Sequence, residues 1–184
     1  MDWGDYVAPM PERIAIATVD ADYDAFAQLI REYWAWLELR YLDLPGFIDS
    51  VGGHQALDAE LDSLSTIYGL PSGRVLLACR GDEVTGGVAM KDLRDGSCEM
   101  KRLYVPDRFQ GHGTGRLLVR ALIEAATDDG FRLMRLDTGE QNTEAIAMYE
   151  SMGFRHCPPH HEYPAELVAH LKFMERPLGD GQPL

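Results

Sequence analysis

Gln110-Gly111-His112-Gly113-Thr114-Gly115 stands between a stretch typical of a strand, Glu99–Val105, and a stretch typical of a helix, Arg116–Ala126. Pro106 ends the strand-like stretch, and the helix-like stretch repeats its apolar residues at the spacing of one helix face. Glycines allow a tight turn and leave backbone N–H groups uncovered, and the start of a helix adds the positive end of its dipole. The six residues therefore predict either a structural turn or a binding site for an anion such as phosphate.

Two common nucleotide-binding patterns do not fit this loop. The sequence lacks the Gly-Lys-Ser/Thr of loops that bind nucleoside triphosphates. Counting from Gly111, Arg116 occupies the place where a dinucleotide-binding fingerprint requires its third glycine. The loop is therefore unlike the loops that bind nucleoside triphosphates or dinucleotides in these two patterns, and the anion it would bind is not identified by them.

A second motif lies further along the chain, with the spacing Asn-x-x-Ala-x-x-x-Tyr-x-x-x-Gly-Phe. Its residues are Asn142, Ala145, Tyr149 and Gly153-Phe154. Together, the strand, the Gln-x-x-Gly-x-Gly loop, the helix and this second motif resemble the GCN5-related N-acetyltransferase (GNAT) family, whose members use acetyl-CoA. The resemblance covers roughly residues 13–178 and is strongest over residues 99–154.

The resemblance implies an α/β fold with a mixed, mostly antiparallel sheet of about six to seven strands and helices on both faces. In the family, the fourth and fifth strands splay apart and the pantetheine of the cofactor lies in the wedge. Here those strands would be Ser97–Val105 and Arg132–Thr138. The length suits one domain, so we expect an N-terminal tail at 1–12, a single domain at 13–178 and a C-terminal tail at 179–184.

The first half of the chain shows weaker patterns. Arg13–Val19 alternates as a strand does, and a helix capped by Asp20 or Asp22 follows it. Residues 42–53 contain Pro45-Gly46 and Gly52-Gly53, which predict a loop. A single helix is expected over residues 57–68, where leucines follow one stripe.

The formal charge of −13 argues against nucleic acid as a partner, because phosphate backbones select basic surfaces. The charge is unevenly distributed. Residues 1–70 hold thirteen acidic side chains and three arginines, whereas residues 101–120 hold five basic side chains and one aspartate. The basic segment suits a polyanionic cofactor, and the acidic half could attract a cationic acceptor or be an ordinary solvated surface.

Composition also sets expectations about compartment and metals. The three cysteines are scattered and lie in apolar or strand-like stretches, which favours reduced thiols over disulfides. The chain shows no apolar signal core and no apolar run long enough to span a membrane, so we expect a cytoplasmic protein without membrane contact. We expect no metal, because His160 and His161 are adjacent, should point apart, and lack a further spaced ligand.

Glu99 is the candidate general base. An alkyl ammonium has a pKa of about 10.4, so a base must help to remove its proton at neutral pH. Alternation places Glu99 on the same side of its strand as Lys101, Leu103 and Val105, and the resemblance places it where the histone-acetylating branch carries its glutamate. We expect Glu99 to act through a water; the alternative is an ion pair with Lys101 or Arg102, or a charge at the strand start in water.

Tyr149 is the candidate general acid. A phenol can protonate a thiolate leaving group, and Asn142 lies two helical turns before it on the same side. The resemblance places this tyrosine near the thioester sulfur and this asparagine near the pantetheine. The alternatives are a core aromatic residue and a plain helix N-cap.

The resemblance implies that backbone groups hold most of the cofactor. An exposed N–H of Leu103 or Tyr104 could also polarise the acetyl carbonyl. The expected cofactor-binding residues are Leu103, Tyr104, Val105, Arg108, Gln110, Gly111, His112, Gly113, Thr114, Gly115, Arg116, Asn142 and Ala145. Arg108 and Arg116 would supply charge or lie in solvent, and His112 would only fill the loop.

The acceptor is the least defined partner. Residues 160–163 are expected to form a lid or to contact the acceptor, and Trp34, Trp36, Arg40 and Tyr41 either line the acceptor pocket or belong to the core. We expect acetyl transfer to a primary amine of a small molecule or peptide, by direct attack in a ternary complex, since no cysteine occupies either catalytic position. The alternative is a non-catalytic acyl-CoA-binding module. A homodimer remains open.

Overall fold

The computed structural model describes residues 11–179, apart from the side chain of His54. Within these residues, seven strands form one sheet in the order β1-β2-β3-β4-β5-β7-β6. The strands are β1 Glu12–Ile16, β2 Gly73–Arg80, β3 Glu83–Asp92, β4 Ser97–Tyr104, β5 Leu133–Gly139, β6 Arg155–His156 and β7 Leu171–Pro177. Only β4 and β5 run parallel; the other neighbouring strands are antiparallel.

Helices cover both faces of the sheet. They are α1 Asp20–Arg40, α2 Phe47–His54, α3 Leu57–Leu61, α4 Leu64–Tyr68, α5 Thr114–Asp128, α6 Thr143–Ser151 and α7 Ala165–Val168. The sheet face that carries α1 to α4 is called the α1 face, and the face that carries α5 and α6 is called the α5 face. This architecture confirms the expected mixed α/β sheet with helices on both sides.

Burial on both faces explains why the central strands are apolar throughout. In β2, Val75 and Leu77 face α1, whereas Leu76 and Ala78 face α5, as the period of two in a strand requires. On α5, Leu118, Leu122 and Ala126 lie four residues apart and are all fully buried. Their stripe fixes α5 against the sheet and so fixes where the glycine loop meets it.

The expected splay between β4 and β5 begins after Glu99. The two strands pair only where Ser97–Glu99 lies opposite Leu133–Arg135. Both strands continue for several residues beyond that point, so their facing edges separate. A wedge therefore opens at the carboxyl end of β4, next to the glycine loop.

A β-bulge interrupts β4 just inside this wedge. Arg102 has a positive φ of 58°, and the pairing with β3 shifts register at the same place. The bulge puts both Lys101 and Arg102 on the α1 face and turns Leu103 and Val105 toward the α5 face. The prediction that Glu99, Lys101, Leu103 and Val105 share one side is therefore wrong, because an extra residue breaks the alternation.

The first half of the chain departs from its predicted elements. Part of the predicted loop at 42–53 is helix α2, which begins after Gly46 (φ 78°) and buries Phe47, Ile48 and Val51. The single helix predicted over 57–68 is two short helices, α3 and α4. The glycines suggested that no helix would form here. Burial of the apolar side chains nevertheless stabilises a short helix that contains two glycines.

The remaining expectations concern the ends of the chain and the thiols. Residues 1–10 and 180–184 lie outside the described part, and Glu12 belongs to β1 rather than to a tail; the domain limits stay a prediction. Cys79 and Cys98 are buried, Cys157 is partly buried, and all three are free thiols. Among residues 11–179, no helix combines the length and the apolar character needed to cross a membrane.

Candidate active site

A cavity of about 380 Å³ occupies the wedge between β4, β5, α6 and the start of α5. We call it the wedge cavity. Its walls are formed by Tyr33, Trp36, Arg40, Leu103, Tyr104, Val105, Phe109, Gln110, Gly111, Gly113, Thr114, Gly115, Arg116, Thr138, Asn142, Glu144, Ala145, Met148 and Tyr149. The cavity brings the two sequence motifs together.

The glycine loop ends at the first turn of α5, as the sequence predicts. Gly111 and Gly113 have φ values of 80° and 85°, and a Cβ on either would meet no atom within 4 Å. These glycines are therefore required by backbone conformation rather than by crowding. Gly113 is the N-cap of α5 and offers no capping side chain, so the N–H groups of the first turn are left for a ligand.

Gln110 holds the loop in place. Its side-chain amide donates hydrogen bonds to the Val105 carbonyl oxygen at 2.8 Å and to Asp107 Oδ1 at 2.9 Å. The glutamine thus ties the loop to the end of β4. This contact explains why a long amide side chain suits the first position of the motif.

Eleven of the thirteen residues expected to bind the cofactor line the wedge cavity, and two do not. The Arg108 guanidinium packs over the Phe109 ring at 4.8 Å and lies 3.4 Å from the Glu32 carboxylate. His112 is exposed on the loop. Contact with a cofactor stays a prediction for all thirteen residues.

Asn142 is at the N-cap position of α6, yet its side chain caps no helical N–H. Its amide nitrogen donates to Thr138 Oγ1 at 3.1 Å, and the residue is buried. Its Oδ1 has no hydrogen-bond partner among the described residues. A buried carbonyl oxygen without a partner is costly, and this one belongs to the wall of the wedge cavity, where an amide N–H of a ligand could satisfy it.

Tyr149 combines the two roles that its sequence position left open. The ring packs in the core at 5.7 Å from Phe154, and the residue also lines the wedge cavity. Burial, and to a smaller extent the nearby Tyr33 and Asp137 side chains, raise the pKa of Tyr149 well above its usual range. The phenol therefore keeps its proton throughout the neutral pH range.

Helix α1 contributes three cavity residues that the motifs did not indicate. Tyr33, Trp36 and Arg40 all line the wedge cavity, whereas Trp34 and Tyr41 are buried in the core. Arg40 donates to the Gln141 carbonyl oxygen at 2.7 and 2.9 Å, so it is fixed in position. The spacing of three and four residues marks one helix face, but only the tertiary packing shows that this face meets the wedge.

A second cavity of about 350 Å³ includes residues of the α1 face of β4. We call it the α1-side cavity. Its walls are formed by Gln55, Glu60, Ile67, Tyr68, Lys91, Lys101, Arg102, His161, Glu162 and Tyr163. Residues 161–163 of the loop thus form part of a cavity wall; contact of this loop with an acceptor stays a prediction.

Glu99 lies beneath this cavity and lines neither cavity. It is fully buried, with Lys91 Nζ 3.0 Å from Oε2, and with Lys101 Nζ at 3.6 Å and His161 Nε2 at 2.6 Å from Oε1. Burial opposes its ionisation, but the two histidines and the two ammonium groups outweigh burial and hold the pKa of Glu99 well below its usual range. The ion pair with Lys101 that the sequence suggested is present. A role in proton removal stays a prediction, and it requires another group to reach the substrate.

Lys101 bridges the splayed strands. Its Nζ lies 3.2 Å from Asp137 Oδ1 on β5, and both side chains are largely buried. Burial alone would lower the pKa of Lys101, but the Asp137 and Glu99 carboxylates outweigh it and raise that pKa. The pair joins the two strands just where their backbone hydrogen bonds end.

His160 and His161 do not point apart, so the reason given for expecting no metal is wrong. Their ring centroids are 4.7 Å apart, and ligand atoms of Glu99, Asp137, His160 and His161 lie within 4.8 Å of one another. The loop is not an extended strand, so side-chain alternation does not apply to it. Two ammonium groups, Lys91 and Lys101, already neutralise the two carboxylates, and their repulsion opposes a divalent cation.

Comparison with known proteins gives one consistent result. The model of the acetyltransferase (GNAT) family matches residues 26–154. An uncharacterized N-acetyltransferase of Schizosaccharomyces pombe is 33% identical over 167 residues, which are 88% of this chain and 95% of that protein. An uncharacterized N-acetyltransferase of Escherichia coli is 31% identical over 107 residues, which are 56% of this chain and 64% of that protein, under two thirds of its length.

Solved structures share the fold at lower identity. The PaiA N-acetyltransferase of Thermoplasma acidophilum, solved in complex with coenzyme A, superposes with a TM-score of 0.68 at 18% identity. The match covers 91% of this chain and 99% of that chain. This likeness shows the fold.

Proposed function

Because the chain belongs to the GNAT family of acetyltransferases, we propose that it transfers the acetyl group of acetyl-CoA to a primary amine. We propose a small-molecule or peptide amine as the acceptor and direct attack in a ternary complex as the mechanism. One observation carries this proposal. The wedge cavity combines the uncovered start of α5, the unpartnered Oδ1 of Asn142 and the protonated Tyr149.

Acetyl-CoA binding rests on three groups of atoms. The N–H groups at the start of α5 suit the pyrophosphate, because that helix end is positive and its first N–H groups have no helical partner. The edge of β4 beyond Glu99 has no β5 partner, so its N–H and C=O groups can pair with the amides of pantetheine. Asn142 Oδ1 can accept a further amide N–H.

Acetyl transfer then needs an oxyanion site and a proton donor. An N–H of Leu103 or Tyr104 polarises the acetyl carbonyl in this account, since both residues line the wedge cavity. The amine attacks the carbonyl carbon, and the C–S bond breaks with its electron pair on sulfur. Tyr149 donates its proton to that sulfur. Burial, which raises the pKa of Tyr149, keeps the phenol protonated and so available as a donor when negative charge develops on the sulfur.

Direct attack is favoured over a covalent acetyl-enzyme by the placement of the thiols. Cys79 and Cys98 are buried, and none of the three cysteines lines either cavity. A nucleophilic cysteine has to reach the thioester and needs a lowered pKa. Burial instead raises the pKa of all three thiols.

The proposal is tested by measuring free-thiol release from acetyl-CoA over a panel of amines, beside calorimetric binding of acetyl-CoA. The panel contains 2-phenylethylamine, L-methionine, spermidine, kanamycin and a short peptide. Thiol release that depends on one of these amines supports an N-acetyltransferase. Tight binding without release for any of them favours the alternative, a non-catalytic acyl-CoA-binding module.

Gly115→Ala is expected to weaken acetyl-CoA binding about tenfold or more while leaving the fold intact, since one obstructed N–H contact to a charged group costs about 1.5–3 kcal/mol. Gly115 lies in the first turn of α5, where an added Cβ makes only ordinary contacts, 3.7 Å from Met148 and 3.9 Å from Val105. The methyl group therefore enters the space of the ligand rather than straining the protein. Calorimetry measures the affinity. Gly53→Ala, at a helical glycine outside both cavities where an added Cβ meets no atom within 4 Å, is the control for stability, and equal affinities in parent and Gly115→Ala would place the pyrophosphate elsewhere.

Glu99→Gln is expected to lower turnover at neutral pH far more than at high pH. We propose that removal of the amine proton depends on the Glu99 carboxylate, and at high pH more of the amine is already neutral. A pH–rate profile of parent and variant measures this difference, with melting curves as the control for lost stability. Parallel profiles would show that Glu99 is only structural.

A further inference from the structure

His161 is the exposed end of the buried charge cluster around Glu99. Its side chain is 30% exposed and lines the α1-side cavity, whereas the Glu99 side chain is fully buried beneath it. The two are joined by a contact of 2.6 Å between His161 Nε2 and Glu99 Oε1. The partly exposed imidazole, which a substrate can reach, is therefore in direct contact with the buried carboxylate that can stabilise a positive charge on it.

The contact with Glu99 fixes the tautomer of His161. Lys91 and Lys101 lie 3.0 and 3.6 Å from the Glu99 carboxylate, so the carboxylate is ionised and can only accept hydrogen bonds. Nε2 must therefore carry the proton, and in the neutral ring Nδ1 is left with a lone pair. Among residues 11–179 the His161 ring hydrogen-bonds through Nε2, so Nδ1 is the nitrogen left for a ligand.

The surrounding loop holds the ring in place. His160 packs edge-on against Phe173 at 5.5 Å between ring centroids, and its Nε2 is 3.5 Å from Glu99 Oε1. Two residues after His161, the Tyr163 hydroxyl accepts a hydrogen bond from Gln55 Nε2 at 3.0 Å. His161 is thus anchored on both sides, as a base with a fixed direction requires.

The α1-side cavity adjoins the wedge cavity at the splay. Its wall residue Lys101 pairs with Asp137 across the gap between β4 and β5, and the next residue of β5, Thr138, lines the wedge cavity. On β4, Arg102 lines one cavity and Leu103 lines the other. The walls of the two cavities therefore meet at consecutive residues of the splayed strands, which is where an amine in one would meet a thioester in the other.

We propose that the α1-side cavity binds the acceptor amine and that the Nδ1 of His161 is its general base, with Glu99 as a positioning residue. This inference rests on the proposed N-acetyltransferase function. In this arrangement Glu99 supplies the negative charge that stabilises the protonated imidazole, and His161 makes the contact with the substrate that the buried Glu99 cannot make. A volume of about 350 Å³ suits a small amine or one side chain of a peptide.

His161 and Tyr149 carry the protons of the proposed reaction. The acceptor arrives as an ammonium ion, and His161 Nδ1 takes one proton and later releases it to water. The neutral nitrogen attacks the acetyl carbon, forming the N–C bond as the C–S bond breaks. Tyr149 gives its proton to sulfur and regains one from the new amide nitrogen. The products are the N-acetylated amine, free coenzyme A and one proton.

Charged groups from several elements lie around the contact between His161 and Glu99. Lys91 comes from β3, Glu99 and Lys101 from β4, and Asp137 from β5. His160, Glu162 and Tyr163 belong to the same loop as His161, and Glu60 and Arg102 form a separate pair in the cavity wall. The two lysines balance Glu99 and Asp137, so addition of a proton to His161 places one positive charge beside Glu99.

His161→Gln and His161→Gly test the assignment, with His156→Gln as the matched control. His156 is a half-exposed histidine that contacts Glu150, outside both cavities. With the best amine of the panel, turnover of His161→Gln should fall by about 10²–10⁴-fold at neutral pH and recover toward high pH. Acetyl-CoA affinity should not change, and added imidazole should restore part of the activity of His161→Gly. His156→Gln should match the parent.

Three results would overturn the inference. Turnover of His161→Gln within about twofold of an active parent would remove the base role alone. A loss that is equal at every pH and not rescued by imidazole would reduce His161 to a structural residue. A parent that binds acetyl-CoA but releases no thiol with any amine would overturn both the proposed function and this inference. NMR of the histidine ring protons, which needs no amine, separates the cases: the Nε2 proton bonded to Glu99 should disappear in His161→Gln and shift in Glu99→Gln.

Discussion

Replacing Tyr149 by phenylalanine is expected to lower turnover by about 10²–10⁴-fold while acetyl-CoA affinity stays at the parent value. The substitution removes only the phenolic hydroxyl group, and the ring keeps its packing against Phe154. An interaction made only in the transition state affects turnover and not ground-state binding. Steady-state kinetics beside calorimetry with acetyl-CoA measures both quantities.

Tyr33→Phe is the matched control for this result. Tyr33 is another buried phenol of the wedge cavity, and burial also raises its pKa, but the account gives it no proton to donate. Turnover of Tyr149→Phe close to that of the parent, or equal losses in both variants, would remove the general-acid role of Tyr149.

Replacing Glu60 by glutamine is expected to lower the free energy of unfolding by about 3–5 kcal/mol. Both partners of the Glu60–Arg102 pair are almost fully buried, and Arg102 Nε donates to Oε1 at 2.9 Å and to Oε2 at 3.1 Å. The Tyr68 hydroxyl donates a further hydrogen bond to Oε1 at 2.5 Å. Loss of the carboxylate leaves a buried guanidinium without a counter-charge, at the residue that forms the β4 bulge.

Denaturant unfolding of parent and variant measures the change. Asp58→Asn is the control, since Asp58 is an exposed acid of the same short helix and its loss should change stability by about 0.5 kcal/mol or less. Similar unfolding midpoints for Glu60→Gln and Asp58→Asn would show that the buried pair does not stabilise the fold.

The parts of the site that are local in sequence were predictable from it. The glycine loop and the start of α5 occupy consecutive residues, and Asn142 and Tyr149 share one helix, so spacing alone brings their groups to one place. The burial of β2 and β3 on both faces likewise follows from their apolar runs. The glycine loop, the start of α5 and the segment from Asn142 to Tyr149 supply most of the residues of the wedge cavity.

The α1-side cavity and the buried charges beneath it were not predictable, because their residues meet only in the folded chain. Glu99 and His161 are separated by 62 positions, and no local pattern relates them. The bulge at Arg102 leaves no signal in the sequence, although it reverses the faces of Leu103 and Val105. Helix α2 was missed for a related reason, since its glycines suggested a loop while tertiary burial of Phe47 and Ile48 stabilises a helix.

Direct acetyl transfer is tested most directly by a single turnover with acetyl-CoA labelled in its acetyl group, quenched at successive times and analysed by mass spectrometry of both protein and amine. Direct attack by the amine predicts that the label passes to the amine nitrogen with release of one coenzyme A, and that the protein is unmodified at every time. Label on the protein that later moves to the amine, or bound acetyl-CoA without transfer to any amine of the panel, would contradict it.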